Sequence, residues 1–232
     1  MEKILVFKDG SYDECIAYVG ERVGGKFAAH ACSSGVFCRD GKTTIEFSMQ
    51  KIYEPYVRAE TENAVAEVLT LAYKYRFFEK TLPKFNLKEE EKEVLLTALV
   101  CADFETDKEY LRRKITSLEN YPLDGVFAFR MQDMKEGWKR TSACISEEFD
   151  ARALDAFLGW IAEEGKGRVF LLDDVLYDEE YRPMKKSVLT GGYSAKKEML
   201  LSRAKYAYCF GCQSEDTKAF LKRYYADRTF FC

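Results

Sequence analysis

The apolar residues of this chain change their period twice, and that constrains the fold more than any motif does. From Glu54 to about Glu164 they recur at spacings of three and four, the period of helices with one buried face. On either side they come in short unbroken or alternating runs, the pattern of strands. A helical middle between two strand-bearing ends reads as an α+β fold. The predicted organisation is a mixed N-terminal β-α-β-β region over 1–52, a helical bundle over 53–165 and a mixed α/β region over 166–232, packed on the rest. At 232 residues the chain has room for one large domain or two small ones.

Ile4–Phe7 predicts a first strand. Ser11 precedes Glu14 by three residues, the spacing of a capping box. The helix it opens carries Cys15, Ile16, Val19 and Val23 on one side, and Gly24-Gly25 closes it. Phe27–Arg39 and Lys42–Met49 read as strands around Asp40-Gly41, a strong hairpin signal. In the second strand Ile45, Phe47 and Met49 share one face. The middle gives helical stripes at Val65, Val68, Leu69, Ala72 and Tyr75, then Val94, Leu95, Ala98 and Leu99, then Leu111, Ile115 and Leu118. Phe127, Met131, Met134, Trp138, Ile145 and Phe149 predict one amphipathic helix of about six turns, a stripe that belongs in a core. Another helix follows from Asp150 to Glu164. In the last third, Arg168–Leu172, Val175–Tyr177, Lys205–Phe210 and Arg228–Phe231 read as strands, with helices starting near Ser194 and Ser214.

A net charge of -3, from 36 basic and 39 acidic side chains, removes the simplest argument for nucleic-acid binding, and no nucleic-acid partner is expected. Lys196-Lys197, Arg203–Lys205 and Lys222-Arg223 read as solvated helix surface. Ile4–Phe7 is too short for the apolar core of a signal peptide, and no run reaches the roughly 18 apolar residues of a membrane span. A cytoplasmic setting with reduced thiols is expected. Aromatic residues make up 15% of the chain; they can fill a core, and a few are candidates for a partner surface.

Eight cysteines and a single histidine, His30, are the chemically suggestive residues. Cys209-Phe210-Gly211-Cys212 is a C-x-x-C, and Cys232 lies close after it. A redox pair needs one thiol of lowered pKa and a resolving partner. A position between a strand and a helix start favours a thiolate, but no thioredoxin-like βαβ order precedes it. A zinc site needs four ligands. Cys209, Cys212 and Cys232 supply three, with Cys38, Cys32 or His30 as the fourth. The plainer reading is that the thiols are small buried groups, as expected for Cys15 and Cys101 on apolar helix faces. His30 and Cys32 share a strand face but lack an orienting residue and an oxyanion site for nucleophilic catalysis. Asp173, Asp174, Asp178, Glu179 and Glu180 lack the rhythm of a calcium loop. Gly24-Gly25 and Gly191-Gly192 lack the lysine–hydroxyl ending of a phosphate loop.

Leu123–Asp133 resembles a motif of the uncharacterised sporulation-protein family YtxC of spore-forming Firmicutes: a turn glycine, then Phe-x-x-Phe-Arg and an acidic residue. The matching positions are Gly125, Phe129, Arg130 and Asp133. The order of strands and helices over Val169–Cys232 is similar to the family's C-terminal layout. The chain departs from the family at Arg228-Thr229-Phe230-Phe231-Cys232, where no Arg-Val pair precedes the last cysteine. The resemblance implies a sporulation setting and no mechanism. With no catalytic constellation in the sequence, the leading expectation is a non-catalytic protein that works through a protein partner, with Phe129, Arg130 and Asp133 as candidate contacts. The alternative is a zinc or thiol protein built on Cys209, Cys212 and Cys232.

Overall fold

The structure is a computed structural model that describes residues 1–27, 32–84 and 87–232. In chain order the elements are β1 (Glu2–Asp9), α1 (Glu14–Phe27), β2 (Cys32–Arg39), β3 (Lys42–Met49), α2 (Glu54–Val68), α3 (Lys74–Thr81), α4 (Glu89–Ala102), α5 (Phe104–Ile115), β4 (Tyr121–Pro122), α6 (Leu123–Phe129), α7 (Gln132–Ala143), α8 (Ala151–Glu163), β5 (Arg168–Leu172), β6 (Val175–Tyr177), α9 (Ala195–Ser202), β7 (Tyr206–Phe210), α10 (Glu215–Tyr224) and β8 (Thr229–Phe231). A π-helical stretch, Leu69–Tyr73, joins α2 to α3. The fold is α+β. The chain divides into two units, Met1–Phe77 with Phe104–Thr141, and Phe78–Asp103 with Ser142–Cys232. Each unit holds a four-stranded sheet.

The sheet of the first unit has the order β2-β3-β1-β4. β3 pairs antiparallel with both β2 and β1, and β4 lies parallel to β1. Asp40 and Gly41 take φ of 52° and 71°, the left-handed pair that a two-residue hairpin turn demands. Ile4, Val6, Ile45, Phe47 and Met49 are buried on one face of this sheet, as are Cys15, Ile16, Val19 and Val23 on α1, which packs on it. Two details of α1 differ from the sequence expectation. Asp13, not Ser11, caps it: its Oδ1 accepts the amide of Cys15 at 3.1 Å. The helix also runs through Gly24-Gly25 to Phe27. Burial of Val23 offsets the roughly 1 kcal/mol that each glycine costs in a helix.

The single helix expected from Phe127 to Phe149 is two helices, α6 and α7, broken at Arg130–Met131 and ending at Ala143, so Ile145 and Phe149 lie outside both. Arg130 still closes a helical bond onto Val126, but its ψ of -8° ends the ladder, which restarts at Met131. The side chains of Gln132 and Lys135 both donate to the Ala128 carbonyl that the break would leave open. The stripe still finds a core, since Met131, Met134 and Trp138 are buried.

The second unit's sheet has the order β6-β5-β7-β8. β5 and β7 run parallel, as do β7 and β8, while β6 is antiparallel to β5. Parallel neighbours need crossover connections, and α9 and α10 supply them. These two helices pack on each other, so both lie on one side of the sheet. α4 and α8 complete that helical layer. Asp150 caps α8 and Ser214 caps α10, each accepting an amide three residues on. Val169, Leu171, Leu176, Ala207 and Cys209 are buried on the helix-covered face. On the other face Phe170 and Tyr208 are half-buried, and Arg168, Leu172, Tyr206 and Phe210 are exposed.

Candidate interaction surface

The other face of the second sheet is aromatic. In the parallel register Phe170 lies opposite Tyr208, and Tyr208 opposite Phe230. Tyr208 and Phe230 stack at 5.0 Å between centroids, and Phe170 meets Tyr208 at 5.8 Å. Tyr181, held at a φ of 56° beyond β6, stacks on the far side of Phe170 at 4.8 Å. The result is a row of rings running across β5, β7 and β8. Tyr206, Phe210 and Leu172 flank this row. Phe210, Phe230 and Leu172 are each at least 40% exposed, and Tyr181 is 70% exposed. Such pairs add about 0.5–1.5 kcal/mol each to their area burial. Large apolar groups gathered on one open face are unusual in a self-contained surface.

Charge on this side is mixed. Lys205 sits over the ring of Tyr206 at 5.6 Å. Arg168 approaches Glu179 to 3.7 Å, and Arg182 is tied to Asp178 and Glu180. The acidic run therefore forms local ion pairs and turn contacts. No single sign dominates.

The C-x-x-C loop borders this face, and its geometry is governed by a carboxylate. Asp173 and Asp174 form the tight β5–β6 turn, both at positive φ. Asp173 Oδ1 accepts the amide of Cys212 at 2.8 Å, and Asp174 Oδ2 accepts that of Ser214 at 3.0 Å. Gly211, at φ +75°, leaves the space that the Asp173 carboxylate fills. Cys209 points into the core, where burial pushes its thiol up to about 11, with a further rise from nearby Cys232. Cys212 and Cys232 are exposed. The Cys232 amide donates to the Cys209 carbonyl at 2.9 Å, so the last strand does return beside β7. Among the described residues, however, no group of three or more His, Cys, Asp and Glu side chains is arranged to hold a metal ion. Cys209, Cys212 and Cys232 thus do not form a three-thiolate site, and protonated Cys209 is a poor nucleophile. Cys32 and Cys38 lie on β2, Cys15 and Cys101 are buried, and His30 lies outside the described residues.

Phe129, Arg130 and Asp133 fall at the break between α6 and α7. Phe129 is 83% exposed. Arg130 donates to the Lys114 carbonyl at 3.1 Å, and Asp133 accepts from the Tyr110 hydroxyl at 2.9 Å. The two are thus engaged with α5 rather than with each other. One projecting ring with two occupied polar neighbours makes a smaller surface than the aromatic row.

Several buried polar groups elsewhere are held by partners within the fold. Glu67 of α2 accepts from Tyr18 and pairs with Arg22 and Lys108. Glu60 pairs with Arg22 and Lys26, and Glu62 accepts from Tyr121. Lys74, fully buried, pairs with Asp107, which also accepts from the indole of Trp138. Glu198 takes the amide of Ser187 at 2.6 Å on Oε1, while its Oε2 is buried with no hydrogen-bond partner. Burial raises its pKa.

The aromatic face was missed in the sequence, although the signal was there. Tyr206, Phe210 and Tyr208 alternate with small Ala207 and Cys209. Alternation fixes two faces but not which one the helices cover. The apolar side was the natural choice for the core, and here both sides are apolar. Comparison with known proteins finds no matching family model, no matching curated protein and no matching solved structure. No helix among the described residues is long and apolar enough to cross a membrane.

Proposed function

We propose that this protein is a non-catalytic interaction protein whose partner, another protein, docks on the aromatic face of β5, β7 and β8. The observation that carries this reading is the continuous row Tyr181–Phe170–Tyr208–Phe230 on a face where Leu172, Tyr181, Tyr206, Phe210 and Phe230 are exposed. Tyrosine and phenylalanine are the residues that interfaces concentrate, because rigid rings give contact area at low entropic cost. The balanced charge around them favours an apolar protein surface over nucleic acid. Eight cysteines without a disulfide fit a reducing cytoplasm. The sporulation setting rests on the resemblance at Gly125, Phe129, Arg130 and Asp133, and counting spores after gene deletion tests it separately.

The docking reading is tested by placing a photo-crosslinking amino acid at positions 181, 206, 210 and 230 in the native cell. The expected result is one shared protein adduct from these positions and none from Tyr12 or Tyr56, exposed aromatics of the first unit. Adducts equally frequent at Tyr12 and Tyr56, or none at the aromatic face, overturn it.

A further inference from the structure

The first unit carries a second unsatisfied feature, of a different kind. β2 is the edge of its sheet and runs for eight residues, Cys32–Arg39, with no proline. Its one charge is the terminal Arg39. Natural edges of this length are normally blunted by charges, prolines or bulges, and β2 has none of these in its middle. Seven of its eight residues are exposed, among them Val36 and Phe37.

The hairpin register says which groups the edge offers. A two-residue turn at Asp40-Gly41 makes Arg39 and Lys42 a hydrogen-bonded pair, and bonding then alternates along the strand. Phe37, Gly35 and Ser33 turn their backbone groups toward β3. Cys38, Val36, Ser34 and Cys32 turn theirs outward. The side chains of these same four lie on the face of Thr43, Ile45, Phe47 and Met49, the buried face of the sheet. Val36 is nevertheless 48% exposed, so the apolar face runs on past the cover of α1.

The geometry points to a second copy of this chain as the occupant, added antiparallel through β2 about a two-fold axis at Gly35. This register uses every outward group. Cys32 faces the partner's Cys38, Ser34 faces the partner's Val36, and the reciprocal pairs repeat them, giving about eight backbone hydrogen bonds. Two glycines meet at the axis, where side chains would be closest. Arg39 lies beyond the paired stretch, so no like charges meet across the axis. Hydrogen-bonded side chains of both copies lie on the same side of the joined sheet, which extends the buried face from one α1 to the other. An isologous contact of this sort is the commonest route to a closed dimer. It is distinct from the aromatic face and stands or falls independently of the partner docked there.

The test uses the full chain with Cys144, Cys212 and Cys232 replaced by serine. Sedimentation should show a concentration-dependent dimer. Val36→Pro, which removes an outward amide without touching the β3 ladder, should leave the circular dichroism unchanged and the protein monomeric. Cys32 and Cys38 then report the register. Hydrogen-bonded antiparallel partners sit about 5.5 Å apart at Cα, inside the disulfide range of about 4.4–6.8 Å. With copper-phenanthroline, Cys32→Ser alone and Cys38→Ser alone should not cross-link, while an equal mixture of the two should. A protein that stays monomeric at its solubility limit, a dimer indifferent to Val36→Pro, or a mixture that fails to cross-link overturns the proposal.

Discussion

Gly211→Ala tests whether the C-x-x-C loop is a carboxylate-anchored turn. Two separate costs arise from one methyl group. Gly211 sits at φ +75°, and an L-residue there costs about 1–2 kcal/mol. The added carbon also overlaps Asp173 Oδ1 and comes within 3.1 Å of its Cγ, so the carboxylate must leave the Cys212 amide. A hydrogen bond to a charged group is worth about 1.5–3 kcal/mol, and Asp173 is exposed, which places it at the low end. The substitution should therefore destabilise by about 3 kcal/mol. In an Asp173→Gly background, where residue 173 keeps its left-handed turn but has no side chain, the same change should cost only the backbone strain, about 1–2 kcal/mol. Urea unfolding of the four proteins of this cycle gives the coupling directly. Equal costs of Gly211→Ala in both backgrounds would refute the anchoring role, and the loop would again be open to a thiol-centred explanation.

Three further outcomes follow from buried groups. Asp107→Ala withdraws an anionic partner from the buried ammonium of Lys74 and should cost about 3 kcal/mol, read by the same unfolding assay. Glu198 holds its proton more tightly when folded than unfolded, because burial raises its pKa. Its contribution is thus fully present below the unfolded value and is lost as pH rises through the folded one. Glu198→Gln should match the wild type in acid and become progressively more stable than it as pH rises, measured by urea midpoints across the range. Cys209, buried and with its pKa near 11, should resist iodoacetamide at neutral pH in the native protein, while exposed Cys38, Cys144, Cys212 and Cys232 react, as peptide mapping would show.

Features legible in the sequence were local ones. Asp40-Gly41 announced the hairpin, and Asp150 and Ser214 announced two helix starts, because each acts within a few residues of itself. The Ser11 capping box failed since Asp13, two residues on, offers its carboxylate to the same turn. Periodicity over Phe127–Phe149 gave the buried centre of the stripe, Met131, Met134 and Trp138, while Phe127, Ile145 and Phe149 are only half-buried. It did not give the break at Arg130, which depends on side chains that satisfy the Ala128 carbonyl. The contact of Asp173 with Cys212 joins residues 39 positions apart, and no spacing rule encodes it. The aromatic face was hidden for a related reason. Which side of β7 meets the helices depends on the crossovers of α9 and α10, and alternation is silent on that choice.

The division of the chain bears on how such a protein can change over generations. Phe78–Asp103 belongs to the second unit yet is followed by Phe104–Thr141, which belongs to the first. Neither unit is a contiguous stretch of gene. A single recombination event cannot transplant one sheet with its helices and leave the other whole. A crossover anywhere between Phe78 and Thr141 cuts through both. Exchange of a whole unit between related chains therefore needs more than one crossover.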